Sequence, residues 1–278
     1  MKKFPYLHLL LFILTFLSTM AAGAFFQKGV NIFREPWRIY EGLPFSLTLM
    51  TILLGHELSH YFASRKHHTK ATLPYFIPAP SLIGTFGAFI KMKSPIMTRK
   101  ALIDIGAAGP IAGFLLSVIA CVIGLMFSSM VVVKDTAGSL GLGDSLLFSL
   151  LSRLILGPTP EAHEILLHPV AFAGWIGLFV TSLNLIPVGQ LDGGHIAYAF
   201  LGEKHKSVSI ILVGTLLLLG LFFWEGWAFW GVIMVVLGVK HPPVIYWEIP
   251  LDRRRTVIGI SALVIFIITF MPSPFNIF

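Results

Sequence analysis

The stretch that decides the fold is Ile52-Leu-Leu-Gly-His-Glu-Leu-Ser-His-Tyr61, an apolar segment carrying the motif His-Glu-x-x-His at residues 56–60. A step of four residues along an α-helix turns the chain by about 400°, so His56 and His60 lie on one face, one turn apart. Two imidazoles in this arrangement can bind one Zn²⁺ ion. Glu57 then lies beside the metal, where its carboxylate can accept a proton from an attacking water. The motif therefore predicts a hydrolytic zinc site on a helix.

The flanks of the motif are typical of a membrane span. Between Leu43 and Ala63 the chain is almost entirely apolar apart from the motif, some Ser and Thr, and one Tyr. Ionisable side chains at membrane depth are costly, and by default they indicate function. Two alternatives stand beside the catalytic interpretation: a structural role for the three side chains, and a non-catalytic metal or proton pathway.

The composition indicates a polytopic α-helical membrane protein. The chain has 278 residues, of which 56% are hydrophobic and 12% charged, and its mean hydropathy is +0.85. The net charge of +7 comes from short basic clusters beside apolar segments, as in cytoplasmic loops, so no nucleic-acid partner is expected. The single cysteine, Cys121, excludes an intrachain disulfide and a cysteine zinc site, so His, Asp or Glu must supply the metal ligands.

The apolar segments predict an all-α polytopic fold with about seven transmembrane helices. The main basic clusters, including those at residues 65–70 and 253–255, then fall on one side, which we assign to the cytoplasm. This orientation places the zinc site in the cytoplasmic half of an integral membrane protein, and we expect the membrane to be the plasma (inner) membrane. The predicted spans are residues 4–26, 43–64, 101–130, 169–186, 208–224, 227–239 and 256–271.

The first apolar segment has two interpretations. Small residues at Met20-Ala-Ala-Gly-Ala24 suit signal-peptide cleavage, which would remove residues 1–24. The segment is, however, as long as a membrane span and longer than the apolar part of a usual signal peptide. We therefore expect a retained helix.

Residues 73–95 are apolar but do not suit a span. Three prolines in Leu73-Pro-Tyr-Phe-Ile-Pro-Ala-Pro80 exclude a long helix, and residues 84–93 predict a short strand or hairpin. Irregular backbone at membrane depth persists only where it is buried in protein or lines a cavity. We expect a small re-entrant β-hairpin near the active site, whose free edge pairs with an unwound substrate segment. The alternative is an interfacial loop that does not contact substrate.

A second motif follows the fourth span as Asn184-Leu-Ile-Pro-Val-Gly-Gln-Leu-Asp-Gly-Gly-His195. Its proline and glycines break the helix and leave Asp192 on unwound backbone at membrane depth. Alone, Asp192 suits a structural cap or a cation site. Together with the upstream motif it supplies what a catalytic zinc lacks, a third protein ligand with the fourth position left to water.

Two other groups of polar residues are not assigned to the zinc. Asp104, at the mouth of the third span, is interpreted as a cap or a polar partner at the cytoplasmic edge. Residues 134–165 form an extracytoplasmic insertion whose apolar part, 146–156, lies in the interface or covers the core. The end of the insertion and the residues just after it carry acidic and histidine side chains whose spacing is not diagnostic of a second metal site, namely Glu161, His163, Glu164 and His168.

From about Leu43 to Phe200 the chain resembles the site-two proteases, which are intramembrane zinc metalloproteases, and among them the compact members without a PDZ domain. The most specific pieces are Gly55-His-Glu-Leu-Ser-His60 and the segment 184–194. The resemblance implies one zinc per chain, with Glu57 as general base. It also implies that Asn184 helps to hold the scissile segment or its oxyanion. The implied zinc ligands are His56, His60 and Asp192.

The resemblance also implies a reaction and partners. The substrates would be transmembrane proteins, such as an anti-sigma factor or another membrane-tethered regulator, cleaved within or near a transmembrane segment in the lipid bilayer. The organisation would be an N-terminal helix and loop (1–42), a catalytic membrane core (43–206) and C-terminal helices (207–278).

Three rival functions are considered. A metal or ion transporter or channel would use the His/Glu/Asp site without proteolysis. A prenyl-protein type protease would need a glutamate as third ligand, but the candidates Glu161 and Glu164 lie in a predicted extracytoplasmic loop. An inactive homologue would lack a catalytic residue, and no expected one is missing.

Overall fold

The computed structural model describes residues 5–132, 140–160 and 163–277. This part of the chain is mostly helical, with three small two-stranded sheets. The helices are α1 (Tyr6–Lys28), α2 (Leu43–Lys66), α3 (Arg99–Met126), α4 (Leu146–Leu156), α5 (Pro169–Asn184), α6 (Asp192–Leu201), α7 (His205–Phe222), α8 (Gly226–Leu237) and α9 (Arg253–Thr269). The strands are β1 (Tyr75–Pro78), β2 (Thr85–Phe89), β3 (Ser129–Val132), β4 (Leu140–Leu142), β5 (His163–Leu166) and β6 (Phe275–Ile277).

Three helical segments of the described chain are long and apolar enough to cross a membrane. They are Tyr6–Phe26 within α1, Arg99–Met126, which is α3, and Asp192–Phe222, which joins α6 and α7. The helices α4, α5 and α8 are apolar but shorter. A mostly helical, membrane-type chain is therefore confirmed, whereas the number of about seven spans stays a prediction.

The core is built around α3, which packs against α2, α5, α6 and α9. Aromatic side chains fill the contact between α2 and α5, where Phe45 and Phe172 stack with their ring centroids 5.5 Å apart. Trp175 is fully buried beside them, and its indole N–H donates to the carbonyl of Gly143 at 2.8 Å. Buried aromatic rings contribute strongly to packing, and this hydrogen bond satisfies the one polar atom of the indole. The helix carrying the His-Glu-x-x-His motif is therefore packed closely against α5.

The hairpin differs from the prediction in its boundaries. Strands β1 and β2 pair antiparallel, with Tyr75 opposite Phe89 and Pro78 opposite Thr85. The proline-rich segment is therefore the first strand of the hairpin, and the prediction of a strand or hairpin confined to residues 84–93 was too narrow. A proline is compatible with a two-stranded sheet because an edge residue need not donate its N–H to a neighbour.

Helix α1 anchors this hairpin from the side. The Ser18 hydroxyl donates to the Gly84 carbonyl at 2.6 Å, and His8 Nδ1 donates to the Pro74 carbonyl at 3.0 Å. Gly84 has φ 77°, and a Cβ there would lie 2.4 Å from the Ser18 carbonyl oxygen. Only glycine tolerates both the left-handed backbone and this close approach.

The described parts of the insertion fold onto the rest of the chain. Strand β5 pairs with β3, and β4 pairs with β6 near the C-terminus, while Phe148 of α4 enters the core. His163 and Glu164 lie on β5 opposite Val132 and Val131. Glu161 lies outside the described residues.

Candidate metal centre

Helix α2 carries the three ionisable side chains of the first motif on apolar surroundings. His56 and His60 are each 5% exposed and Glu57 is 6% exposed. The helix starts with Pro44 in its first turn, where the missing N–H costs no helical hydrogen bond, and continues without interruption to Lys66. The predicted helix over this motif is confirmed, with both imidazoles on one face.

Asp192 reaches the same place from α6. After α5 ends at Asn184, the backbone turns and α6 begins at Asp192, where a carboxylate is favoured by the helix dipole. In this turn the backbone of Gly193 packs directly against that of Leu185. Any side chain at position 193 would clash, because a Cβ there would lie 2.0 Å from the Leu185 carbonyl oxygen. The predicted break of the helix before Asp192 is therefore observed, and glycine is needed directly after it.

The three side chains meet at distances that suit one metal ion. His56 Nε2 lies 3.0 Å from His60 Nε2, and each of these nitrogens lies 3.2 Å from a carboxylate oxygen of Asp192. Ligand atoms at about 2.0–2.1 Å from a tetrahedral zinc lie about 3.3 Å from one another. In the described ranges this is the one group of three His, Cys, Asp or Glu side chains with ligand atoms this close, all within 4.8 Å.

The chemistry of the donor atoms agrees with a cation. His60 Nδ1 donates to the carbonyl of Ile105 at 2.8 Å, so the neutral ring carries its lone pair on Nε2. That lone pair points at the other imidazole and at the carboxylate of Asp192. A metal ion can accept the lone pairs of all three side chains at once. A backbone carbonyl that fixes the tautomer is the usual hydrogen-bond partner of a histidine ligand.

Glycines of α3 make room for the histidine rings. A Cβ on Gly109 would lie 2.1 Å from His60 Nε2, and a Cβ on Gly113 would lie 3.0 Å from His56 Nδ1. The repeated small residues of α3 predict a close helix–helix contact. In the structure the two imidazole rings lie at this contact, directly against the glycine backbone of α3.

A cavity of about 200 Å³ opens onto the group. Asn184 lines it together with Glu57, and the backbone amide of Ile90, just after β2, faces the Glu57 carboxylate. The hairpin therefore lies next to the centre. The lining comprises His56, Glu57, His60, Ala88, Phe89, Ile90, Met92, Ile105, Asn184, Gln190, Leu191, Asp192 and His195.

Asp104 is a polar partner outside the metal group, as one of its two interpretations predicts. It accepts from His67 Nε2 at 2.7 Å and from Arg255 Nη2 at 2.6 Å. These contacts join α3 and α9 to the residue that follows α2. Ile105, whose carbonyl orients His60, follows Asp104 directly on α3. The ion pair of Asp104 therefore helps to hold this carbonyl in place.

Fold and site together define a helical, membrane-type protein in which two buried histidines and one carboxylate form a group able to bind a metal ion. A sequence model of peptidase family M50 matches residues 44–223, which is more than half of the chain. The chain therefore belongs to peptidase family M50, and the resemblance to the site-two proteases is confirmed.

Two relatives illustrate the similarity. The chain is 35% identical over 241 residues to the probable zinc metalloprotease EGY1, chloroplastic, of Arabidopsis thaliana, covering 83% of this chain and 43% of that protein. It is 31% identical over 242 residues to the probable zinc metalloprotease EGY2, chloroplastic, of Oryza sativa subsp. indica, covering 84% of this chain and 43% of that protein. The chain thus spans less than half the length of these relatives. No solved structure matches it.

Sequence reasoning missed part of the site. The carbonyl of Ile105 leaves no trace in a side-chain pattern, because any residue type offers it. His195 ends the second motif and lies three residues after Asp192, a helical spacing that signals a shared face. His241, which bonds to His195, lies 46 residues further on and has no such signal.

Proposed function

We propose that the chain is an intramembrane zinc metalloprotease that hydrolyses peptide bonds within or near transmembrane segments of membrane proteins. The observation that carries the proposal is one cavity that is lined by the group His56, His60 and Asp192 together with Glu57 and Asn184. Membership of peptidase family M50 and the printed names of the relatives agree with it. The transporter alternative receives no support from these comparisons.

In this proposal His56, His60 and Asp192 hold one zinc ion. The zinc, when bound, polarises the scissile carbonyl and lowers the pKa of water to about 7. The carbonyl of Ile105 keeps the Nε2 lone pair of His60 directed at the centre. Burial of both imidazoles and of the Glu57 carboxylate limits the access of bulk water.

Glu57 acts as the general base. Its carboxylate takes a proton from the attacking water and returns it to the leaving amine nitrogen as the C–N bond breaks. Asn184 lines the same cavity and is a hydrogen-bond donor for the carbonyl oxygen as negative charge develops there. Its amide carbonyl is in addition an acceptor for the scissile strand.

The substrate must unwind before it can be cleaved, because the backbone groups of a helix are bonded to one another. We assign the hairpin as the re-entrant element that receives the unwound segment. Support comes from the end of β2, where Ala88 and Phe89 line the cavity, and from β1, which pairs with β2 on one edge. The remaining edge of β2 is the proposed partner of the substrate strand.

The membrane setting completes the proposal. The basic clusters favour about seven spans, with the metal centre in the cytoplasmic half of the membrane, which we take to be the plasma (inner) membrane. The catalytic core is assigned to residues 43–206, between an N-terminal part, 1–42, and C-terminal helices, 207–278. Substrates would be single-span proteins such as an anti-sigma factor or another membrane-tethered regulator.

The test is co-expression of the chain with tagged single-span candidate proteins. We expect the wild type to release a fragment cut within or near the transmembrane segment, and Glu57→Gln to release none. Equal fragment release by Glu57→Gln would refute the assignment of the activity to this site. Ion flux in liposomes without any cleavage would instead support the transporter alternative.

A further inference from the structure

A third histidine of the cavity has no place in the metal group. His195 lies one helical turn after Asp192 on α6 and lines the cavity. Its Nδ1 lies 2.6 Å from Nε2 of His241, in the connection between α8 and α9. His241 lies beyond the residues 44–223 that match the family.

The hydrogen bonds fix the tautomers of both rings. His241 Nδ1 lies 2.6 Å from the Pro242 carbonyl, which can only accept, so this nitrogen carries the proton. In a neutral imidazole the other nitrogen then carries the lone pair, so His241 Nε2 accepts from His195 Nδ1. By the same rule, Nε2 of His195 is left with a lone pair and no proton.

His195 lines the cavity that opens onto the metal group. Two buried side-chain atoms in the described ranges lack a hydrogen-bond partner, Thr15 Oγ1 and His205 Nδ1, and neither belongs to His195. His195 is half-buried, and its Nε2 forms no hydrogen bond with the described part of the chain. Nε2 of His195 is therefore an accessible acceptor on a residue that lines the cavity.

The ring of His241 is held in place by its neighbours. Its ring stacks on Tyr198 with centroids 4.3 Å apart and planes 17° apart. Further along the same connection, Val244 is buried, and the Tyr246 backbone N–H donates to the Met97 carbonyl at 2.9 Å. Burial lowers the pKa of His241 to about 3, so the ring is neutral at physiological pH.

We propose that His195 is a substrate-binding residue whose Nε2 accepts a hydrogen bond from a backbone N–H of the unwound substrate segment, and that His241 positions its ring and tautomer. The inference rests on the proposed function and names the atom that receives the substrate. Unwinding in a low-dielectric site frees N–H donors that need acceptors. An acceptor with a fixed tautomer meets that need without reorganisation.

Two substitutions of His241 separate positioning from packing. His241→Phe keeps a ring on Tyr198 but removes the acceptor for His195 Nδ1. His241→Gln loses the ring but keeps an acceptor near the position of Nε2. His205→Gln is the matched control, because His205 packs edge-on to the same two rings and bonds through Nε2 to Ser209, not to His195.

Cleavage kinetics in proteoliposomes supply the first measurement, with the single-span protein that the wild type cleaves as substrate. We expect His195→Ala and His241→Phe to raise KM about 3- to 10-fold, the scale of one neutral hydrogen bond, with kcat and zinc content unchanged. His241→Gln and His205→Gln should stay within about twofold of the wild type. Equal KM values for His241→Phe and His241→Gln would overturn the inference.

Nitrogen-15 NMR of labelled histidines supplies a measurement that does not depend on activity. In the zinc-loaded full chain, we expect His195 to carry its proton on Nδ1, and to lose this preference in His241→Phe but not in His241→Gln. A proton on Nε2 of His195 in the wild type would also overturn the inference. Failure of the wild type to cleave, with the expected tautomers present, would count against the proposed function instead.

Discussion

At the scale of single residues, burial explains why each ionisable side chain of the centre has a partner. His56, Glu57 and His60 are almost completely buried on α2, where an unpaired charge or polar atom is costly. The carboxylate that completes the group comes from a position 132 residues further along the chain than His60. In the proposed function the metal ligands and the general base are different side chains. Substitution of a ligand should therefore affect metal binding, whereas substitution of Glu57 should affect proton transfer alone.

The first prediction compares zinc content with cleavage. Glu57→Gln keeps the shape of the side chain but removes the base, so we expect zinc to remain while cleavage falls about 10²-fold or more. Asn184→Ala should also keep zinc and lose about 10- to 10³-fold in cleavage, the range for one donor to a developing oxyanion. Asp192→Ala should lose zinc and activity together. Metal analysis and cleavage rates of the purified variants test this, and zinc retention by Asp192→Ala equal to the wild type would contradict it.

At the scale of elements, α3 forms the wall on which the centre is built. Its glycines bring backbone against the imidazoles of α2 and against the start of α6, where a Cβ on Gly106 would lie 3.1 Å from the Asp192 carbonyl oxygen. The helix also bears Asp104 and Ile105, which act on α2 through side chain and backbone. Substitutions on α3 should therefore affect a centre to which α3 contributes no side-chain ligand.

Gly109→Ala tests this wall. The new methyl group would lie 2.1 Å from His60 Nε2, so the ring must move, and we expect zinc affinity and cleavage to fall at least 10-fold. Gly214→Ala is the matched control, because a Cβ there has nothing within 4 Å. Both changes raise intrinsic helix propensity by about 1 kcal/mol, so their difference isolates the clash. Equal zinc content in the two variants would show that the wall is not needed.

The contacts of Asp104 lead to a prediction about stability. Asp104 and Arg255 are 15% and 18% exposed, and loss of the Asp104 charge leaves the largely buried Arg255 guanidinium with Asp252 as its remaining acidic partner. We expect Asp104→Asn to lower the free energy of unfolding by about 2–4 kcal/mol and to weaken zinc binding through the shift of Ile105. Thermal unfolding in detergent measures the first effect. Arg254→Gln, which removes an exposed charge, should change stability by less than about 0.5 kcal/mol.

The elements also show how far sequence reasoning reaches. Helix periodicity places both histidines of the first motif on one face, and a proline with glycines marks the break before Asp192, because these are local properties of the backbone. The strand at residues 75–78 was not predicted, since its prolines disfavour a strand unless a partner such as β2 is known. The elements that pack against the small residues of α3 could not be predicted either, because tertiary packing and not local sequence selects them.

At the scale of the whole molecule, the C-terminal part is joined to the centre although it lies beyond the matched region. Arg255 on α9 reaches Asp104, and His241 reaches His195. The indole N–H of Trp227 donates to the Pro272 carbonyl at 2.6 Å, which fixes the last segment against α8. The three predicted parts of the chain therefore share one packing arrangement, and the side of the membrane on which each connection lies becomes testable by single cysteines.

The last prediction concerns orientation. In a Cys121→Ala background, which removes a fully buried thiol, cysteines at Lys93 and Arg254 should react with a membrane-impermeant reagent only from the cytoplasmic side. Leu146→Cys, at the start of α4 in the predicted extracytoplasmic insertion, should react only from the opposite side. Position 143 also belongs to the outer side in the predicted topology but is less suitable, because a Cβ on Gly143 would lie 1.8 Å from the Ser273 carbonyl oxygen.

Labelling of intact cells and of inverted vesicles distinguishes the two sides, with permeabilised membranes as the control for reactivity. The expected pattern requires the basic ends of α2, α3 and α9 to lie on one side of the membrane. Reaction of position 146 from the cytoplasmic side alone would reverse the orientation. The metal centre would then lie in the extracytoplasmic half, and a substrate would have to reach the hairpin from the other face of the membrane.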